Sequence, residues 1–192
     1  MPRQLSPERR EKFLSAALQL FVTQGVHNTT TAEVARLAGS AAGTLFLYFP
    51  TKQSLVNELI LHITRQQSAH IHALLAPGQN VRDAFFTIWS GTLRWFLQNP
   101  LAYQYVLQVR DSGIIEAAVI QESALFFDYY YTTIQQGLDE ALIKPYPIDL
   151  IGEFLYQDLV AMMKILQRQP GARQQDALIS QGFELFWDGI KK

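Results

Sequence analysis

The amino-acid sequence predicts an all-α protein, and three observations carry that expectation. Apolar residues recur at three- and four-residue spacing through most of the chain, strand-like alternation is absent, and the helix breakers stand far apart. The breakers are Gly25, Gly39, Pro50, Pro77-Gly78, Asn99-Pro100, Ser112-Gly113, Pro145-Tyr146-Pro147 and Pro170-Gly171, and they delimit about nine helices. With 192 residues, 48% of them apolar and 17% charged, the chain can bury a core and is no disordered segment.

The first helices are short. Ser6-Pro7-Glu8 reads as an N-cap followed by proline at the first helical position. Phe13, Ala16, Ala17, Leu20 and Phe21 then share one face, and Gly25 ends the helix. Thr30-Thr31-Ala32-Glu33 is a capping box, so a second helix starts at Thr30, turns Val34, Leu37 and Ala38 inward and stops at Gly39. A third covers about 41–48, up to Pro50, and a fourth runs from Thr51 to about Leu75. Longer helices follow near 80–98, 100–110, 114–143, 148–168 and 172–190. Two short helices joined by a tight glycine turn and packed on a first helix make a helix-turn-helix, placed at about 30–49. The expected organisation is an N-terminal three-helix DNA-binding domain over 7–67 and a C-terminal helical domain over 68–192.

Composition narrows the function. The absence of cysteine excludes disulfides, a thiol nucleophile and cysteine-ligated metal, and fits a reducing compartment. The start of the chain has no apolar stretch, and the most apolar region, Ala84 to Leu97, is interrupted by Arg94 and falls short of the roughly 20 residues a membrane span needs. A soluble cytoplasmic protein with no membrane partner is expected. No Walker loop, Gly-x-Ser-x-Gly or His-Glu-x-x-His occurs. Of the four histidines, His70 and His72 stand two apart on different helix faces, and Asp139-Glu140 reads as solvated surface. No catalytic residue, metal or cofactor is expected. Net charge is −1, but residues 1–55 carry +3 (Arg3, Arg9, Arg10, Lys12, Arg36 and Lys52 against Glu8, Glu11 and Glu33) and the remainder −4.

The stretch Thr29-Thr30-Thr31-Ala32-Glu33-Val34-Ala35-Arg36-Leu37-Ala38-Gly39, continuing through Gly43-Thr44-Leu45-Phe46-Leu47-Tyr48-Phe49 to Lys52, resembles the DNA-binding segment of TetR-type transcriptional repressors. Ala17, Leu20, Phe21 and Gly25 resemble that family's first helix, so the likeness covers about 7–67. It implies double-stranded DNA as partner, with Thr30, Ser40, Ala41, Ala42, Gly43, Thr44, Leu47, Tyr48 and Lys52 as the contact set. The chemistry agrees. Gly43 removes a side chain where the third helix would press on the DNA backbone. Helix starts at Thr30 and Thr51-Lys52 offer amides to phosphates, and Tyr48 offers a hydroxyl. Thr44 and Ser40 can hydrogen-bond to bases, while Ala41, Ala42 and Leu47, where relatives often carry polar side chains, suit thymine methyls. Arg3, Arg9 or Arg10 could enter a minor groove.

Helix-turn-helix proteins read half-sites about one turn (~34–36 Å) or a multiple apart, so a homodimer is expected. Leu150, Phe154, Leu159, Met162 and Met163 on one late helix, and Ile179, Phe183, Phe186, Trp187 and Ile190 on the last, form stripes that are either monomer core or a subunit interface. The family resemblance favours the interface, with Phe154, Met162, Phe183, Phe186 and Trp187 in it. The middle of the chain is rich in aromatics and suits a flat apolar ligand. In the C-terminal half, Ile88-Trp89, Asn99-Pro100, Ile151-Gly152-Glu153 with Tyr156, and Gly182-Phe183-Glu184-x-x-Trp187 are diffusely similar to RamR-like multidrug-responsive repressors, which implies Trp89, Glu153 and Tyr156 as effector contacts; Phe127, one of the aromatics of the middle, is expected beside them. Glu153 in such a pocket would favour cationic ligands. The expected function is a ligand-responsive repressor, released from a palindromic operator by a small hydrophobic or aromatic effector. Two other readings compete: a helical ligand-binding protein with weak or no specific DNA binding, suggested by Ala41, Ala42 and Leu47, and an all-helical enzyme using the aromatic cavity.

Overall fold

A computed structural model describes residues 5–169 and 171–192. Arg3, named above as a candidate for the minor groove, and the breaker Pro170 lie outside the described residues. Among those described there are ten α-helices and no strand: α1 (Pro7–Gln24), α2 (Thr31–Leu37), α3 (Ala42–Tyr48), α4 (Lys52–Leu74), α5 (Val81–Gln98), α6 (Pro100–Val109), α7 (Ala117–Ala124), α8 (Asp128–Asp139), α9 (Ile148–Leu166) and α10 (Ala172–Ile190).

The expected helix over 114–143 is instead two helices with a 3₁₀ turn, Leu125–Phe127, between them. Competition for backbone groups accounts for the break. In a continuous helix the Phe126 carbonyl would accept from the Tyr130 amide, but here the Ser68 hydroxyl donates to it. The Asp128 carboxylate accepts from the Tyr129 amide at 2.7 Å and starts the next helix. Counted as one, α7 and α8 restore the nine helices that the breakers predict.

The chain forms two compact units. One holds the residues up to Arg65 together with Pro100–Ser123; the other holds Gln66–Asn99 together with Ala124–Lys192. A boundary at 67/68 therefore divides the sequence but not the packing, because α6 returns to the first unit. Tyr105 of α6 stacks on Phe21 of α1 with ring centroids 6.1 Å apart, and its hydroxyl donates to the Val56 carbonyl at 3.1 Å. Gln53 donates to the Ile114 carbonyl at 2.8 Å. The core of this unit is Phe13, Phe21, Val34, Leu45, Leu55 and Leu59.

In the second unit α5 is the central helix, buried along Phe85, Ile88, Trp89 and Leu93. Trp89 stacks on Phe186 of α10 at 5.9 Å, and its indole N–H donates to the Ile179 carbonyl at 2.8 Å. Close approach here depends on Gly182, where a Cβ would lie 2.6 Å from the Met162 sulfur and 3.1 Å from the Trp89 ring. Past α8, Ala141 takes a left-handed conformation (φ 53°), and the Lys144 amide donates to the Ile190 carbonyl at 2.7 Å.

Candidate nucleic-acid interface

The first unit presents α3 on a frame of capped helices. Ser6 caps α1, its hydroxyl accepting from the Arg9 amide at 3.3 Å, with Pro7 at the first helical position. The capping box of α2 is complete. The Glu33 amide donates to the Thr30 hydroxyl at 3.2 Å, and the Thr30 amide and hydroxyl both donate to Glu33 Oε2 at 2.7 Å. Those bonds, the Thr30 hydroxyl first, hold the exposed Glu33 carboxyl below its ordinary range. α2 ends in a Schellman turn: Gly39 (φ 67°) donates to the Arg36 carbonyl at 3.1 Å, and Ser40 to the Ala35 carbonyl at 2.9 Å. That turn delivers the chain to Ala41, where α3 starts with no side-chain cap.

α3 buries Leu45 and exposes Ala41, Gly43, Phe46 and Leu47, the last of these 65% exposed. Ser40, Ala42 and Thr44 beside them are half-buried. Tyr48, half-buried, rests edge-on against Phe13 at 5.4 Å, and its oxygen accepts from the Ser6 amide at 2.9 Å. The phenolic proton of Tyr48 is thereby left to point elsewhere. Nothing in the sequence signals this bond, which spans 42 positions. Lys52, at the start of α4, donates to the His27 carbonyl at 3.2 Å and lies near enough to Glu33 to lower its pKa. Thr51 and Ser54 cap α4 reciprocally, each amide donating to the other's hydroxyl at 3.0 Å.

Two expected DNA contacts are otherwise engaged. The Thr30 hydroxyl already donates to Glu33, which sets a carboxylate at the helix start where a phosphate was expected. Arg10 pairs with Glu58 and lies 5.5 Å from the centre of the Phe49 ring, so it braces α1 against α4. Arg9 is exposed.

The expected effector residues are not gathered around one cavity. Trp89 is 1% exposed and belongs to the core. Phe127 packs on Ile71, Ile88 and Tyr129. Glu153 is exposed and accepts from Gln157 at 2.8 Å. Tyr156 is half-buried. The same unit buries the hydroxyl of Tyr130, for which no hydrogen-bond partner exists among the described residues, and burial pushes that phenol above its ordinary pKa.

Of the expected interface residues, Phe154 is 62% exposed, but Phe183 is fully buried, and Met162, Phe186 and Trp187 are nearly so. Phe183 packs on Phe86, Trp89 and Trp187 of its own chain. Its place in a subunit interface gives way to a core role: α10 turns its aromatics inward because α5 covers that face. An open groove of about 390 Å³ lies along α9 and α10, with Leu150, Phe154, Asp158, Leu185 and Phe186 among its walls, and none of the four expected effector residues lines it.

No helix among the described residues is long and apolar enough to cross a membrane, and no group of three potential metal ligands occurs among them. Comparison with known proteins places the first unit. Residues 13–59 match the family model described as bacterial regulatory proteins, tetR family. The HTH-type transcriptional regulator LuxR of Vibrio harveyi is 37% identical over 65 residues, a match spanning 33% of this chain and 32% of that one. The HTH-type transcriptional regulator QacR of Staphylococcus aureus is 26% identical over 161 residues, spanning 81% of this chain and 79% of that one. A solved TetR-family structure from Shewanella sp. PV-4 superposes with a TM-score of 0.89 at 30% identity, covering 96% of this chain and 98% of that one. By capped helix-turn-helix, whole-chain fold and sequence alike, the chain belongs to the TetR family of DNA-binding transcriptional regulators.

Proposed function

We propose that this regulator is a cytoplasmic repressor that binds a palindromic operator as a homodimer and leaves it when a hydrophobic or aromatic small molecule binds its second unit. One observation carries the mode of DNA contact. A glycine inside a helix costs about 0.5–1 kcal/mol relative to alanine. At Gly43 nothing among the described residues offsets that cost: φ is not left-handed, and a Cβ would meet none of them within 4 Å. A phosphate backbone pressed against α3 is a neighbour that would exclude a side chain there. Around it Ala41, Ala42 and Leu47 contact thymine methyls, and Ser40 and Thr44 supply hydroxyls to base edges. Tyr48, its oxygen held by the Ser6 amide, donates its proton to a phosphate, and Lys52 adds a cation.

Two copies are needed to read a palindrome. The exposed apolar residues of α9 and α10, chiefly Leu150, Phe154 and Leu185, supply the surface on which they meet. Effector binding is supported by the aromatic interior of the second unit and the unpartnered Tyr130 hydroxyl. The effector acts by binding more tightly to a state whose two heads no longer match the half-site spacing. A coupling of about 1–3 kcal/mol, fivefold to 150-fold in affinity, is the usual scale.

The test is an unbiased selection of genomic fragments by the purified protein at about 150 mM salt, where non-specific phosphate binding is weakened. Recovery of one palindromic site, bound less tightly as salt rises from about 50 to 200 mM, is the expected outcome. Lys52→Ala should weaken binding to every sequence alike, and Thr44→Ala should relax preference at one base step. Absence of any enriched site would overturn the proposal.

A further inference from the structure

α9 carries two stripes. Ile151, Leu155, Met162, Met163 and Leu166 are buried and build the core of the second unit. Leu150, Phe154, Ala161 and Ile165 form an outer stripe, the three larger ones 44%, 62% and 43% exposed. In the middle of that outer stripe stands one acid, Asp158, at the wall of the open groove. Resting on the dimer reading above, we infer that Asp158 makes the association of two copies proton-linked, so that the dimer takes up protons as it forms and tightens as pH falls.

The stripe says why a second copy is the occupant. Its members are placed evenly about a point between Gln157 and Asp158. Leu150 and Ile165 are equally far from that point, and so are Phe154 and Ala161. A two-fold axis there sets Leu150 against the partner's Ile165, equal in size, and Phe154 against the partner's Ala161, large against small, so that each pairing recurs on both sides of the axis as in an isologous contact. The same axis passes beside Asp158 and brings two carboxyls together between apolar walls.

Among the described residues that line the groove, none is a cation. On α10, Glu184 is paired with Arg82, and Asp188 with Lys191 at 2.6 Å. Before α9, the Lys144 amine donates to the Gly189 carbonyl at 2.9 Å. On α9 itself Glu153 accepts from Gln157, and Lys164 is exposed. The other groove walls carry no charge. In a single chain, partial burial already moves the Asp158 carboxyl above its ordinary range. A covering partner removes more water and adds a like charge, and both act in the same direction. A carboxyl whose pKa is higher in the dimer than in the monomer favours the dimer as pH falls through that interval. Each unit of upward shift contributes about tenfold per carboxyl to the association constant.

The test is sedimentation equilibrium of the full chain at several pH values between 7.5 and 5.0. The wild-type dissociation constant should fall at least about tenfold over that range. Asp158→Asn, and independently Asp158→Ser, should dimerise tightly at every pH with a flat profile. A wild-type dimer indifferent to pH, or variants that keep the wild-type slope, would overturn the inference and leave the dimer reading standing. A chain that stays monomeric at every pH, variants included, would overturn both and leave the groove to a different partner.

Discussion

Of the helices that hold large apolar side chains out in water, α3 and α9 do so on different terms. α3 has seven residues, one buried side chain, no side-chain cap and a glycine in its first turn. It keeps its shape because Leu45 anchors it and the Gly39 turn aims it. α9 has nineteen residues and a complete buried stripe of its own. Leu47 on α3 and Phe154 on α9 are almost equally exposed, at 65% and 62%. Exposure alone therefore does not say what is missing; the neighbours do. Leu47 lies one turn beyond Gly43 on a helix that starts Ala41-Ala42-Gly43, small residues that let a rigid backbone come close. Phe154 shares the wall of the open groove with Leu150 and Leu185, a surface suited to another of its kind.

That comparison can be broken at several strengths. The largest effect is expected where surface and core were hardest to separate. Phe183→Ala should cost about 3–5 kcal/mol of chain stability in urea unfolding, because it opens a cavity in the second unit. Phe154→Ala should change the stability of the isolated chain by less than about 0.5 kcal/mol while weakening self-association. Equal losses would show that α9 and α10 do not divide core from interface as described.

The two Schellman turns come next. α8 ends like α2, with Ala141 donating to the Leu138 carbonyl at 3.1 Å and Leu142 to the Gly137 carbonyl at 2.9 Å, but with alanine where α2 has glycine. Gly39→Ala should lose about 1–2 kcal/mol, since a Cβ there meets no clash and only the left-handed backbone resists it. Ala141→Gly should gain up to about 1 kcal/mol. Thermal unfolding of both variants checks the opposite signs.

A smaller change sharpens the account of α3. Gly43→Ala should raise stability by about 0.5–1 kcal/mol and yet lower operator affinity. A stabilised variant with unchanged affinity would remove the close approach from the argument.

The smallest expected effect is in pH. The Glu33 pKa is lowered on folding, so the cap's contribution is whole above the ordinary glutamate range and lost as pH falls through the lowered value. Hydrogen exchange of the α2 amides should quicken relative to the rest of the first unit as pH falls from about 5 toward 3. Glu33→Gln should flatten that trend.

Much of the first unit was legible in sequence because its signals are local. Ser6-Pro7, the Thr30–Glu33 box and Gly39 each act within one turn of chain, and the structure holds all three as expected. The second unit was legible only as helical periodicity. Trp89, Phe154 and Phe183 all fall on apolar stripes, and a stripe does not say which of its two flanks another helix covers. The break at 125–127 was equally invisible, because the competing donor, Ser68, lies 58 residues away.

The sequence by itself therefore determined the helices apart from the division of α7 from α8, the caps of α1 and α2, and the turn that aims α3, since each depends on bonds between residues a few positions apart. Tertiary structure alone decided that Phe183 is core and Phe154 is surface, that the Tyr48 oxygen is held by the Ser6 amide, that Arg10 braces Glu58, and that the described walls of the groove beside Asp158 hold no cation. Those outcomes depend on which helices meet, and meeting is set by burial summed over whole faces, which no short stretch of sequence contains.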